Sequence, residues 1–145
     1  MIFSPGARER TGAKLVPADG TGVRALHRAL RSGEVAGILP DQDPGRGSGV
    51  FVPFFGVPAR TITATSRLAR MSGAAVVPYY PVRRPDGRYR VRVLPALENF
   101  PGEDATADAA RINALIEGWA REAPEQYLWV HRRFKGRPAG EPAFY

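Results

Sequence analysis

Asp41 and Asp43 stand two apart in "DQDPGRGSGVFVPFFG", residues 41 to 56, ahead of glycines at 45, 47 and 49, an arginine at 46 and phenylalanines at 51, 54 and 55. Carboxylates organise a polar site, glycines let the backbone come close to a ligand, and the rings suit apolar groups. A purely local reading is equally open: a turn between two strands, with both aspartates hydrogen-bonding nearby backbone. Two carboxylates with no third acidic or histidine ligand nearby are a weak metal signal, and none is expected. The stretch is no phosphate-binding P-loop, since no Gly-Lys-Ser/Thr follows, nor a dinucleotide fingerprint, since position 50 is Val and no helix opens there.

The other groups able to do chemistry are few. His27 lies beside an apolar stripe in "RALHRALR", where a packed or half-exposed side chain is the simpler reading than a general base. His131, in "WVHRRFKGRP", suits a structural or anion-contacting role. No Gly-x-Ser-x-Gly elbow is present. The chain has no cysteine, which excludes disulfides and thiol catalysis. Arg24, Arg28 and Arg31 share one helical face, either solvated or turned to anionic lipid headgroups.

These groups must be carried by elements. Leu15–Pro17 reads as a short strand; Thr21 caps a helix over 22–32, which stops at Gly33. Val35–Leu39, between Gly33 and Pro40, reads as a buried strand delivering the acidic loop at its end, where open α/β sheets place their ligands. Ala64, Leu68 and Met71 give a second helix over 61–71. Residues 74–84 and 88–94 flank Pro85-Asp86-Gly87 as a β-hairpin, with Tyr89, Val91 and Val93 on a packed face and Arg88, Arg90 and Arg92 on a basic one. From Asp104 to Glu122 the spacing of Ala105, Ala109, Ile112, Leu115, Ile116 and Trp119 predicts the clearest amphipathic helix, ending before Pro124. Residues 122–145 form an aromatic and basic extension, packing through its rings and offering its charges. The alternation implies α/β layers around a mostly parallel or mixed sheet.

Composition sets the outer limits. A length of 145 residues fits one domain with one core. The net charge is +7, and only Lys14 and Lys135 among the 21 basic residues are lysines. An arginine bias suits phosphate and carboxylate recognition, although a GC-rich genome produces it as well. No run of about 18 apolar residues is present, so no membrane span is visible. The pI of 10.5 raises nucleic acid as a partner, but no nucleic-acid-binding motif accompanies the charge, and none is expected.

The combination "LPDQDPGRGSGVFVPFFGVPARTITATSRLARMSGAAVVPYYPVRRPDGRY" with "INALIEGWAREAPEQYLWVHRRFKGRP" resembles the lipid A biosynthesis lauroyl and myristoyl acyltransferases, over about Arg8 to Tyr145. The resemblance implies transfer of a fatty acyl chain from acyl carrier protein to a hydroxyl of an acyl chain already on a Kdo-bearing, bis-phosphorylated lipid A precursor. It implies a cytoplasmic-face, inner-membrane setting, no cofactor or metal, and a glycerolphosphate-acyltransferase-like layered α/β fold with a mixed sheet. Arg10 matches the family's arginine ahead of the first strand, expected to hold an acceptor phosphate or stabilise developing negative charge, with Arg8 as the fallback. Asp41 matches its carboxylate after the next strand. Phe51, Phe54 and Phe55 are then expected to face acyl chains, and Arg46, Arg132 and Arg133 complete the substrate-binding candidates.

At one point the sequence departs from the family. The reaction relies on a His-x-x-x-x-Asp/Glu motif, with histidine as general base, whereas His27 is followed five places on by Ser32 and His131 by Gly136. The family places that motif, and a membrane-associated helix, upstream of the arginine-rich segment where this chain begins. The expectation is therefore an incomplete, C-terminal half of the domain, inactive alone and exposing apolar surface. The alternative is a non-catalytic module that binds anionic lipid or acyl carrier protein.

Overall fold

The computed structural model describes residues 10, 12–17, 19–45 and 48–145. The chain divides into two compact units, residues 1–36 and 37–145. In the first, α1 spans Gly20–Arg31. Its cap is Asp19, whose Oδ1 accepts from the Thr21 and Gly22 amides at 2.8 and 3.1 Å and from the Thr21 hydroxyl at 2.5 Å. Thr21, expected as the cap, is thus a donor to the true one, and the helix opens two residues earlier. Gly22 is required there because a Cβ would overlap the Pro17 carbonyl. Leu15–Pro17 forms no strand.

The second unit holds β1 (Val50–Phe54), β2 (Val57–Thr61), α2 (Ala64–Ser72), β3 (Tyr79–Arg83), β4 (Tyr89–Val93), α3 (Ala105–Glu122) and two short 3-10 turns, Pro124–Gln126 and Trp129–His131. The architecture is mixed α/β. β1 pairs with β2 and β3 with β4, both antiparallel, so the described residues form two two-stranded sheets rather than the expected mixed sheet. Val35–Leu39 is not a strand, and Val35 is 96% exposed; a short apolar run is a strand only where another strand pairs with it.

α3 organises this unit. It begins at Asp104, whose side chain accepts from the Thr106 amide at 2.8 Å. Ala109, Ile112, Ile116 and Ala120 recur every three or four residues and bury one face, which packs on β1. Ile112 and Ile116 join Phe54, Ala59 and Phe134 in the core, with Phe55, Val57, Phe100, Trp119 and Tyr127 packed around them.

The β3–β4 hairpin presents the opposite face from the one expected. Tyr80, paired with Arg92, turns toward α3 and stacks on Trp119 with ring centroids 4.5 Å apart. Arg92 Nη1 donates to the Tyr80 hydroxyl and to Glu122 Oε2, both at 2.6 Å. Tyr89, Val91 and Val93 therefore point outward and are exposed. One aromatic stack backed by an ion pair overrides the apolar alternation, because a two-stranded sheet has no second layer to decide which face is inside.

Candidate functional site

The acidic loop after Pro40 is held by the tail. Asp43 is buried; its Oδ1 accepts from the Gly45 amide at 2.7 Å, closing a local turn, and its Oδ2 accepts from the Gly136 amide at 2.9 Å. Arg60, on β2, places its Nε 4.0 Å from Oδ1. The backbone passes so close that a Cβ on Gly136 would lie 2.5 Å from Asp43 Oδ2 and 3.0 Å from Arg60 Nε. Asp43 thus fastens the loop to residues 132–137, and Asp41, two residues earlier, is half-buried.

Beside it lies a buried polar layer. Arg133 is only 1% exposed; its Nη1 donates to the Arg60 carbonyl at 2.6 Å, and its Nη2 to Thr61 Oγ1 at 2.6 Å and Asn113 Oδ1 at 3.2 Å. Asn113, fully buried on α3, donates Nδ2 to the Pro53 carbonyl at 2.9 Å. One guanidinium and one carboxamide thereby join β1, β2, α3 and the tail. Burial pulls the Arg133 guanidinium down from its usual value, while Tyr127, Asp41 and Asp43 hold it up. Burial, and then the charge of Asp41, push the Tyr127 phenol well above the usual tyrosine value, so it stays protonated at neutral pH. The arrangement is a carboxylate flanked by a protonated phenol and a fixed cation, which suits orienting a hydroxyl or an arginine rather than accepting a proton as principal base.

The other sequence-derived candidates divide. Arg8 and Arg46 lie outside the described residues. Arg10 is exposed and belongs to the first unit. Phe54 is wholly inside the core, against Phe134 and Tyr127 at centroid distances of 6.0 and 5.7 Å, and offers no surface to a ligand. Phe51 is half-buried under the Arg60 guanidinium, 4.6 Å from its ring centre. Phe55 takes a left-handed φ of 51°, which turns its half-buried ring toward Trp129 and under Arg121. Arg132 is exposed, also left-handed, with its guanidinium over the Tyr145 ring. Arg133 is committed to the interior.

Sequence reasoning missed Tyr127, Asn113 and Thr61. Asn113 carried a signal: it falls on the same stripe as Ala109, Ile112 and Ile116, and a carboxamide at a core position needs polar partners. Nothing in the sequence signalled that Tyr127 meets Phe54 and Asp41, which lie more than 70 residues earlier. Among the described residues no group of three His, Cys, Asp or Glu is placed to hold a metal, and no helix is long and apolar enough to cross a membrane.

Comparison with known proteins adds what the geometry alone does not carry. A sequence model described as bacterial lipid A biosynthesis acyltransferase matches residues 5–136. The chain is 48% identical over 125 residues to a lipid A biosynthesis lauroyltransferase of Escherichia coli K12, covering 85% of this chain and 41% of that protein. To the palmitoleoyltransferase of the same organism it is 44% identical, covering 85% and 40%, and to its myristoyltransferase 34%, covering 92% and 42%. The chain spans about two fifths of the length of the curated relatives it matches. With a family match over nearly the whole sequence, the chain belongs to the bacterial lipid A biosynthesis acyltransferases.

Proposed function

We propose that the chain serves acyl transfer from acyl carrier protein to a hydroxyacyl chain of a lipid A precursor; acyl transfer and lipid A biosynthesis stand in its relatives' names, and the donor and acceptor are those the family resemblance implies. The acceptor hydroxyl attacks the donor thioester carbonyl, the carbon–sulfur bond breaks, and the hydroxyl proton passes by way of a base to the departing thiolate. Asp41 orients the polar end of the site and Arg10 meets acceptor phosphate or developing negative charge. Neither His27 nor His131 has a carboxylate five residues on, so neither is assigned as the general base, and the chain alone is expected to be inactive. The setting is the cytoplasmic face of the inner membrane, and the complete fold is a glycerolphosphate-acyltransferase-like layered one. The observation that carries the reading is the 48% identity to a lauroyltransferase across 85% of the chain.

The test is an acyl-transfer assay with acyl carrier protein thioester and lipid A precursor in mixed micelles, comparing the 145-residue chain with the intact lauroyltransferase. The isolated chain should fall short by at least the roughly 10²–10⁴-fold worth of a general base. In the intact relative, Asp→Asn at the position aligned with Asp41 should lower turnover, and unchanged turnover would remove Asp41 from the site.

One surface favours a second reading, a module that binds acyl carrier protein or anionic lipid without catalysis. Arg83, Arg84, Arg88 and Arg90 crowd the exposed tip of the β3–β4 hairpin, where Asp86 is the acid, 3.8 Å from Arg84. An acidic carrier protein is complementary to that tip. Salt-sensitive retention of carrier protein by the isolated chain, lost on reversing Arg84 and Arg88 to Glu, would support it.

A further inference from the structure

The stretch "PEQYLWVHRRFKGRP" puts Tyr127 and Trp129 two apart, ahead of Arg133. Local bonds fix the backbone there: the Tyr127 carbonyl accepts from the Trp129 amide at 2.9 Å, and Trp129 Nε1 donates to the Pro124 carbonyl at 2.8 Å. The Tyr127 ring is held between Trp129, edge-on with centroids 4.7 Å apart, and Phe54 at 5.7 Å. The Arg133 guanidinium lies over the same Phe54 ring, 5.4 Å from its centre. Phe54 is wholly buried, so the phenol and the cation rest on one fixed support.

Ring packing accounts for an aromatic residue at 127 but not for its hydroxyl, since phenylalanine would fill the same space. Burying a phenol costs free energy unless the hydroxyl finds a partner. Here it has two: the Tyr127 hydroxyl is in hydrogen-bonding contact with Asp41 and with Arg133. A carboxylate only accepts and a guanidinium only donates, so Arg133 donates to the phenol oxygen and the phenol O–H donates to Asp41. Donation from a cation makes the phenol a stronger donor in its turn. Arg133 is itself immobile, because the Arg60 carbonyl, Thr61 Oγ1 and Asn113 Oδ1 accept from its two terminal nitrogens. Asp43 fastens the loop backbone through the Gly136 amide; the Tyr127 contact is what aims the carboxylate two residues earlier.

We propose that Tyr127 is a positioning residue for acyl transfer: its hydroxyl, backed by the buried Arg133 cation, holds the Asp41 carboxylate in a single orientation toward the polar end of the site. Tyr127 touches no substrate and transfers no proton in this role; it acts through Asp41. The inference rests on the acyl-transfer reading, and on the place of Asp41 in it.

The test uses the intact Escherichia coli lauroyltransferase with acyl carrier protein thioester and lipid A precursor in mixed micelles. Tyr→Phe at the position aligned with Tyr127 should lower kcat about 10- to 100-fold, the worth of a hydrogen bond to a charged group, and leave KM for the thioester unchanged. Added to Asp→Asn at the position aligned with Asp41, it should cause no further loss, because a residue that acts through Asp41 has nothing left to position. Losses that multiply, as two independent structural effects would, overturn the proposal. If Asp→Asn lowers turnover and Tyr→Phe does not, the inference falls and the acyl-transfer reading stands; if Asp→Asn changes nothing, Asp41 leaves the site and takes the inference with it. A second readout needs no activity. In the 145-residue chain, Tyr127→Phe should move the carboxyl 13C resonance of Asp41 and leave that of Asp86, on the hairpin tip, in place. An unmoved Asp41 resonance overturns the proposal as well.

Discussion

Gly136 is where the tail comes closest to the acidic loop, and its missing side chain is what allows the contact. A methyl group there would meet the Asp43 carboxylate at 2.5 Å, so the amide could no longer reach Oδ2 without backbone movement. Gly136→Ala is expected to cost about 1–3 kcal/mol, measured by urea unfolding, and to speed amide exchange over residues 41–45. Asn113→Ala removes the partner of the Pro53 carbonyl and one acceptor of Arg133, leaving buried groups unpaired. It should cost about 1–3 kcal/mol by the same measurement. Tyr127 gives a signature in pH. Its folded value is raised, so the folded state holds the proton longer than the unfolded one; stability is fully present below the ordinary value of 10.0 and falls as pH rises from there through the folded value. Tyr127→Phe should flatten that alkaline loss, read as denaturation midpoint against pH from 9 upward. Asp41 as a candidate was legible from the sequence through its match to the family's carboxylate after the next strand. Its surroundings were not, because Tyr127 and Arg133 reach it only through the folded path of the tail.

At the scale of elements, long periodic segments were readable and short ones were not. α3 was expected over 104–122 and spans Ala105–Glu122 with Asp104 as cap, because many turns of one-sided apolar spacing leave no alternative. α2 was placed three residues early, since Thr61 completes β2 and Thr63 becomes the cap. The hairpin turn was legible from Pro85-Asp86-Gly87, but not which face would be inside, since that choice depended on Trp119 and Glu122, about 40 residues away. α1 shows a competition between neighbours: Asp19 and Thr21 are both good capping residues, and the carboxylate wins by accepting from two amides and a hydroxyl together. Those bonds, the Thr21 hydroxyl first, lower the Asp19 value below 3.8. The stabilisation it gives α1 is therefore present above pH 3.8 and lost as pH falls through the lower folded value. Circular dichroism should show Asp19→Ala losing helix at neutral pH, whereas Asp19→Asn should keep most of it and lack the acid step.

Across the second unit, the core and the candidate acidic loop are tied at one segment. The core of the second unit is small, built on Phe54, Ala59, Ile112, Ile116 and Phe134, and Phe134 comes from the tail that also supplies Arg133 and Gly136. The tail's rings continue outward, Phe144 packing on Phe134 at 4.6 Å between centroids. Loosening this segment should loosen the acidic loop, since among the described residues Asp43 is otherwise anchored by Arg60 and its own turn. Phe134→Ala removes a nearly inaccessible ring and is expected to cost about 3–5 kcal/mol, a large part of the roughly 5–15 kcal/mol typical of a domain. Phe144→Ala, at a half-exposed ring, should cost about 1 kcal/mol. Native-state amide exchange separates the coupling from mere destabilisation. If the tail positions the loop, Phe134→Ala accelerates the amides of Gly45 and Gly136 before those of α3, because their shared anchor opens first. If all amides of the second unit accelerate by one common factor, the loop is carried by the core as a whole and the tail has no separate positioning role.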